Sequence, residues 1–330
     1  TQEVHEANLE GDIFVPAAWS SCHFPYSEKI SSLPWFADIR SIYYRKDIFE
    51  KLSLSADDLA DWASFERTCE KIKVFKEEEK TIEVFGVSGQ KDALLLHNIA
   101  PWIWGAGGDF LTPDGKEATF NKQESLDGIA FLIELVRKGY IPVSALKVPT
   151  EKINLDFFTK GDYVMAIPGP LSESSPLNPT SPLYNPKIGE NCMSSLFPAG
   201  TKGRFVFCGG SNLAITSFSQ YPKEAWEFVQ FLVSYDSQSR YPKTLYMFPT
   251  LLESFDSVFI EEKPGWKGLK DAWKYGRAFP NVPAWGAIES LSIECFGKIF
   301  AWVQEGDYDI SKIRTDLDRV VLDVNDLLAR

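Results

Sequence analysis

Apolar residues recur every third or fourth position in several long segments, and short apolar runs bounded by Gly and Pro lie between these segments. The first spacing is typical of helices with one buried face, and the short runs are typical of strands. The clearest helical pattern covers residues 57–80, with Ser55 or Asp57 as its capping residue. We predict further helices at residues 93–104, 123–138 and 223–234, and near 267–277, 287–304 and 310–329.

Strand-type residues fall between these helices. Residues 39–44, 85–88 and 163–167 read as strands, and residues 204–208 and 213–216 as two short strands around a Gly-Gly pair. Pro113-Asp114-Gly115 lies between two apolar pairs and predicts a hairpin. Because strands and helices alternate over 330 residues, the pattern predicts an α/β protein with two domains.

Charge and cysteine content narrow the partner classes. The formal net charge of −12 argues against nucleic acid and anionic membrane, since both reward clustered Lys and Arg. The five cysteines lack metal-site spacing and indicate mostly buried thiols, with a Cys192–Cys208 disulfide left open. No apolar stretch is long enough to span a membrane. The chain starts at Thr1 without a recognisable signal segment, so the sequence is silent on secretion.

The aromatic content is high, at 14% with ten Trp. Most of these rings are expected in the core, because aromatic side chains bury large areas. Ten Trp is nevertheless more than packing normally requires. Flat rings also stack on the apolar faces of pyranoses, so the excess weakly indicates a carbohydrate ligand.

From Leu33 onward, five blocks occur in the order found in one known family. Through them the chain resembles the family 1 extracellular solute-binding proteins, the sugar-binding group that includes maltose-binding protein. Each block is weak alone, but five in order over about nine-tenths of the chain are specific. They are Pro34-Trp35-Phe36-Ala37-Asp38-Ile39-Arg40, Trp104-Gly105-Ala106-Gly107-Gly108-Asp109, Phe157-Phe158-Thr159-Lys160-Gly161 with Met165-Ala166-Ile167 and Gly169-Pro170, Gly209-Gly210-Ser211-Asn212, and Pro280-Asn281-Val282-Pro283.

The resemblance implies the type II periplasmic-binding-protein fold, with two α/β lobes joined by hinge segments. We expect residues 1–40 and 209–255 in the N-terminal lobe, and residues 41–208 and 256–330 in the C-terminal lobe. The family places a substantial segment before the Pro-Trp block, whereas about thirty residues precede it here, so the N-terminal lobe is expected to be incomplete in this chain.

The resemblance also implies a function. The expected role is the substrate-binding component of an ABC importer, which captures a small carbohydrate by lobe closure and delivers it to the transmembrane permease subunits. We expect no catalysis, no cofactor, no metal and a monomer, in the periplasm or outside the cell. A lipid anchor to the membrane surface is left open.

Candidate ligand-binding residues at the first hinge crossing are Trp35, Asp38 and Arg40. Asp and Arg form strong directional hydrogen bonds to sugar hydroxyls in a desolvated cleft, and Trp35 is a stacking candidate. The alternatives are a surface or interlobe salt bridge for Asp38 and Arg40, and packing under the hinge for Trp35.

Other candidates follow from the remaining blocks. The glycine-rich turn lets backbone N–H groups approach a ligand, or bends a strand at the hinge. For the candidates on helices, the alternative is a place in the core. Trp102 and Trp104 are two residues apart, so they cannot both face the cleft from one helix. Leu171 stands where the family usually has a stacking Trp, which weakens the expectation of a maltose-like ligand. The candidates are His97, Asn98, Trp102, Gly169, Leu171, Gly209, Gly210, Ser211, Asn212, Trp285 and Glu289.

Two other function classes are weighed. A glycoside hydrolase would also need an aromatic cleft with two carboxylates, but none of the 46 Asp and Glu stands out as a pair. The presence of only three His and the absence of a G-x-S-x-G elbow argue against a serine nucleophile system. An adhesion protein with a Trp-rich surface is the least favoured, because the α/β pattern is ordered.

Overall fold

The computed structural model describes residues 2–23, 27, 29–79, 82–168, 181–245, 247–258, 268–269 and 271–329. Within these ranges the strands form two four-stranded sheets. The first has the order β7-β1-β6-β8 and the second the order β3-β4-β2-β5. The strands are β1 (Leu33–Ile39), β2 (Ile42–Arg45), β3 (Glu83–Gly86), β4 (Tyr163–Ala166), β5 (Cys192–Ser195), β6 (Val206–Leu213), β7 (Phe248–Pro249) and β8 (Gly276–Arg277).

Both sheets are mixed. In the first, β1 runs antiparallel to β6 and β7, while β8 joins β6 in parallel. In the second, β2 runs antiparallel to β4 and β5, and β3 pairs with β4 in parallel. Helices accompany both sheets, so the predicted α/β class is confirmed.

The chain crosses between the sheets at Arg40 and Ser41. The sequence predicts one strand over residues 39–44, but the structure divides it, because β1 ends at Ile39 and β2 begins at Ile42 in the other sheet. The N–H of Arg40 donates to the carbonyl of Phe207 at 3.0 Å, which ties this crossing to the start of β6. A second crossing connects β5 to β6.

The helices surround these sheets. Besides short 3₁₀ turns and one π-helical turn at Asp156–Lys160, the α-helices are α1 (Gln2–Glu6), α2 (Pro16–Ser20), α3 (Lys46–Lys51), α4 (Trp62–Glu79), α5 (Leu95–Gly105), α6 (Gln123–Arg137), α7 (Val143–Leu146), α8 (Thr150–Leu155), α9 (Pro186–Gly189), α10 (Pro222–Val233), α11 (Tyr235–Leu245), α12 (Leu252–Val258), α13 (Trp285–Gln304) and α14 (Ile310–Leu328). None of the helices in the described ranges combines the length and apolarity needed to cross a bilayer.

The first predicted helix is divided in two. A 3₁₀ turn at Ala56–Leu59 opens it, with Ser55 as N-cap in a capping box whose Asp58 carboxylate accepts from the Ser55 N–H at 2.9 Å. The α-helix proper starts at Trp62, after Asp61 accepts a hydrogen bond from the N–H of Ser64 at 2.8 Å. The predicted cap at Ser55 is therefore confirmed, and a second local cap explains the break.

Two local predictions are wrong, and a third is confirmed in reduced form. The two strands predicted around the Gly-Gly pair are one strand, β6, because β1 pairs with it continuously from Leu213 to Cys208. The helix predicted near 267–277 is a 3₁₀ turn at Ala272–Tyr275 followed by β8, since Gly276 leaves the helical conformation and pairs with β6. The predicted hairpin is reduced to a single bridge between Leu111 and Ala118.

A large core contains apolar residues from both sheets, and a smaller one groups Val4, Phe14, Leu33, Val229, Val233 and Leu251. All five cysteines are buried and free, so the alternative of a Cys192–Cys208 disulfide is wrong. Burial raises the pKa of the Cys208 and Cys295 thiols to about 12 and that of Cys22 to about 11. These thiols therefore stay protonated and pack as small apolar groups.

Candidate functional site

A cavity of about 340 Å³ lies between strand β6 and the N-terminus of α13. Strand β6 contributes a floor of glycines, and aromatic rings from three separate elements form the walls. The lining residues are Ala18, Ser21, Phe36, Phe207, Cys208, Gly209, Gly210, Asn212, Ala278, Phe279, Pro280, Asn281 and Trp285.

Aromatic rings in contact form one wall of this cavity. The rings of Phe279 and Trp285 stack with centroids 5.0 Å apart and an interplanar angle of 25°. Phe207 lies 5.0 Å from Phe279 and stacks against His97 at 3.7 Å and 12°, and His97 is itself 5.8 Å from Phe279. Because each ring is held by a neighbour, the flat apolar surface is formed before a ligand arrives.

The glycine floor is required by the close approach of β1. Gly210 lies opposite Ala37 in the register and has φ of +139°, a conformation that L side chains rarely adopt. A Cβ at Gly210 would collide with the carbonyl oxygen of Phe36, and one at Gly209 would meet the ring of Phe207 at 2.7 Å. The missing side chains leave backbone exposed to the cavity.

The cavity carries no formal charge on the residues that line it. Asp, Glu, Lys, Arg and His are all absent from the described lining. Its polar side chains are Ser21, Asn212 and Asn281, which hold one another: Asn212 Nδ2 donates to Ser21 Oγ at 2.9 Å. Such a site favours a neutral ligand with an apolar face and hydroxyl groups over an ion.

Arg40 lies outside the cavity, buried at the crossing between the sheets with 1% of its surface exposed. Its guanidinium pairs with Asp38 Oδ2 at 3.0 Å and donates to the carbonyl of Pro168 at 2.8 Å. It also lies 3.2 Å from Nδ1 of His97. Arg40 therefore links the crossing after β1 to Pro168 and His97, while its ion pair with Asp38 stays local to the end of β1.

His97 is held neutral in this arrangement. Burial, and then the nearby charge of Arg40, lower the pKa of His97 to about 3. Because a guanidinium only donates, Nδ1 accepts and the proton sits on Nε2. His97 supports the cavity wall through Phe207 and does not itself line the cavity.

Three candidates lie in packed regions instead of at the cavity. Trp35 stacks on Tyr241 at 4.9 Å, with Phe36 as the neighbouring ring that reaches the cavity. Asn98 is 1% exposed and donates to Thr150 Oγ1 at 3.3 Å. Trp102 is fully buried, as is Trp104, so both members of the Trp pair belong to the core.

The remaining candidates have varied positions. Gly209, Gly210, Asn212 and Trp285 line the cavity, while Ser211 and Glu289 are not among its lining residues. Burial raises the pKa of Glu289 above its usual value. Gly169 and Leu171 lie outside the described residues.

Sequence reasoning missed nine of the thirteen residues that line the cavity, among them Phe36, Phe207, Phe279 and Asn281. Phe36 and Phe207 lie in strands and read as core residues, although each is within two positions of a predicted site residue. Phe279 directly precedes the Pro280–Pro283 block, and Asn281 falls within it. Their closeness in sequence to Trp285 was the signal that pointed to them.

A second cavity of about 710 Å³ adjoins the first. The segment from Ala278 to Asn281 lines both. The second cavity is also lined by Asp109 and Arg277, which form an ion pair.

Residues 15–268 match the family described as bacterial extracellular solute-binding protein. A Deinococcus radiodurans protein named as an ABC transporter-binding protein is 25% identical over 68% of this chain, and the chain spans 54% of that relative's length. A Brucella abortus protein named as a binding protein is 21% identical over 89% of this chain and 68% of its own.

Solved structures share the fold. A Thermotoga lettingae solute-binding protein bound with α-D-tagatose has a TM-score of 0.78 at 23% identity, covering 99% of this chain and 79% of its own. The sugar-binding protein MalE of Xanthomonas citri has a TM-score of 0.82 at 16% identity, and the match covers 100% of this chain and 78% of MalE. At these identities the likeness shows the fold, a two-lobed type II periplasmic-binding-protein architecture.

Proposed function

The chain belongs to the bacterial extracellular solute-binding protein family, and we propose that it binds a small carbohydrate in the aromatic cavity between β6 and α13. The observation that carries this proposal is the stacked pair of Phe279 and Trp285 facing a floor of glycines. A pyranose presents one apolar face and a rim of hydroxyls. The rings match that face, and Ser21, Asn212 and the exposed backbone match the hydroxyls.

The proposed biological role is delivery of the captured sugar to an ABC permease, from the periplasm or the cell surface. Family membership supports this role, because the family consists of extracellular binding proteins, not enzymes. We propose that the protein binds the sugar as a monomer.

The lobes proposed from sequence remain a proposal, with two adjustments that the sheets suggest. Strand β6 begins at Val206, three residues before the proposed boundary at Gly209. Strand β8 pairs with β6, so Gly276 and Arg277 are better grouped with the first sheet than with the C-terminal lobe. We propose that closure of these lobes encloses the sugar.

The hydrolase alternative lacks its chemistry at this site. The aromatic cavity has no carboxylate among its described lining residues, and the adjoining cavity has Asp109 alone. Asp109 is ion-paired with Arg277 and accepts from Trp104 Nε1 at 3.2 Å, so it is held as a paired carboxylate. A glycosidase needs two carboxyl groups in defined opposition.

Isothermal titration against neutral mono- and disaccharides tests the proposal. We expect one-to-one binding at micromolar affinity or tighter for at least one sugar, and at least a tenfold loss of affinity in Trp285→Ala, which removes the stacking ring. Trp302→Ala is the matched control, since this indole lies on the same helix about 25 Å away and contacts Lys312 instead of the cavity.

Two results would contradict the proposal. One is the absence of heat and of any thermal-unfolding shift with every sugar of the panel. The other is sugar binding that Trp285→Ala and Trp302→Ala weaken equally, because the ligand would then lie elsewhere.

A further inference from the structure

The two cavities share a wall that is a single segment of chain. Ala278, Phe279, Pro280 and Asn281 line the cavity of about 340 Å³ on one side and the cavity of about 710 Å³ on the other. Both lie in the range typical of small-molecule sites, which is about 300–1,000 Å³. A ligand confined to the smaller cavity would leave the larger one unused.

The polar group at the junction is Asn281. Its Nδ2 donates to the carbonyl of Ser21 at 2.9 Å and to that of His23 at 2.8 Å. These bonds use both amide hydrogens and fix the orientation of the side chain, because a carbonyl only accepts. Oδ1 is consequently the acceptor that Asn281 can offer to a hydroxyl at the boundary of the two cavities.

The second cavity is polar but electrically balanced. Arg277 Nη2 pairs with Asp109 Oδ2, while Asp109 Oδ1 accepts from Trp104 Nε1 at 3.2 Å and from the N–H of Phe110 at 2.8 Å. The guanidinium lies 5.2 Å from the Trp104 ring centroid. Both oxygens of the carboxylate are thus engaged.

Arg277 still has donors to offer. Its side chain is 38% exposed, and no acceptor among the described residues takes its Nε or Nη1 hydrogens. Fixed donors beside a neutralised carboxylate suit a sugar's hydroxyl and ring oxygens. They suit an anionic sugar less well, since Asp109 offsets the charge of Arg277.

We propose that the ligand consists of two linked neutral sugar units, one against Phe279 and Trp285 and the other against the Asp109–Arg277 pair, with Asn281 between them. The inference rests on the carbohydrate-binding function proposed above. It assigns Asn281 and Arg277 as specificity-determining residues for ligand length.

Titration calorimetry with glucose, galactose, maltose, cellobiose, lactose and melibiose tests this. We expect a disaccharide to bind at least tenfold more tightly than either of its monosaccharides. Arg277→Met keeps an unbranched apolar side chain but removes the donors, and should weaken that disaccharide at least tenfold and the monosaccharide less than twofold. The double variant Arg277→Met/Asp109→Asn removes the unpaired charge and should retain the same selective loss.

Arg314→Met, at an exposed arginine that donates to Gln123, is the control for loss of a positive charge and should change neither affinity. Sugar binding that depends on Trp285 but not on Arg277, or equal affinity for disaccharide and monosaccharide, would overturn the two-unit ligand and leave the proposed function standing. A panel with no binding at all would overturn both.

Discussion

Nη2 of Arg40 lies 3.2 Å from Nδ1 of His97, so a buried cation donates to an imidazole that must remain unprotonated. The contact joins the crossing after β1 to helix α5, and His97 in turn stacks on Phe207 of the cavity wall. Protonation of His97 would place two positive charges in contact.

This contact predicts a loss of stability in mild acid. The pKa of His97 is lowered to about 3, whereas an unfolded histidine titrates near 6.5. The unfolded chain therefore takes up the proton first, and the stability is complete above pH 6.5 and falls as the pH decreases toward 3. By pH 5 the loss from this group is about 2 kcal/mol. Urea unfolding from pH 7 to pH 5 should show a shallower decline in His97→Gln, whose amide oxygen still accepts from Arg40.

His5→Gln is the control for that series, because His5 is exposed and pairs with Glu10. It should retain the decline of the parent protein. Parallel declines for all three proteins would contradict a buried neutral His97.

Removal of the Arg40 guanidinium should be costly. Arg40→Met leaves Asp38 without its ion-pair partner and the carbonyl of Pro168 without its donor. We expect the free energy of unfolding to fall by about 3–5 kcal/mol, the usual range for breaking a buried pair. Lys46→Met, which breaks the exposed pair with Glu50, should cost about 1 kcal/mol or less. Similar losses for both variants in urea unfolding would contradict a stabilising buried pair at the crossing between the sheets.

Alanine substitutions at Gly210 and Gly139 distinguish the cost of backbone strain from the cost of a steric collision. Both have positive φ, but a Cβ at Gly139 meets nothing within 4 Å, whereas one at Gly210 meets the Phe36 backbone. Gly139→Ala should destabilise by about 1–2 kcal/mol from strain alone. Gly210→Ala should cost more, and should also reduce sugar affinity by displacing β1 from β6. Equal losses of stability, or unchanged affinity, in calorimetry would argue against the floor described here.

Trp102 tests a residue that sequence reasoning assigned to the site and the structure buries. Trp102→Phe should lower the free energy of unfolding by about 1–3 kcal/mol through lost packing against Phe65, Phe131 and Phe197. Sugar affinity measured below the melting temperature should stay within twofold of the parent. A tenfold loss of affinity would instead return Trp102 to the binding site.

Lobe closure predicts a change of shape. A saturating sugar should reduce the radius of gyration in small-angle scattering, and Trp285→Ala should need more sugar for the same change. An unchanged radius at saturation would contradict closure while leaving binding intact.

The long elements were predictable and the site was only partly so. Helices α13 and α14 follow directly from their apolar spacing, and Trp285 and the Gly209-Gly210 pair follow from the family blocks. What spacing could not supply was the direction of each ring. Trp102 and Trp285 are alike in sequence, but contacts from remote elements enclose the first and leave the second at a cavity.

The same limit explains β6 and β8. Gly-Gly normally weakens a strand, so two short strands were the local prediction. Pairing with β1, more than 160 residues earlier in the chain, overrides that preference. Such distant pairing is invisible to a window of neighbouring residues.

Helix α13 starts at the cavity with Trp285 and ends at Gln304, whose side chain donates to the carbonyl of Leu146 at 3.3 Å. Twenty residues of helix span about 30 Å, so α13 connects the aromatic cavity at one end to the exposed position of Glu305 at the other. A displacement of the Trp285 indole on ligand binding would be transmitted to that position along the helix. A fluorophore attached at Glu305 would therefore read occupancy remotely, and the protein would serve as a reagentless sugar sensor.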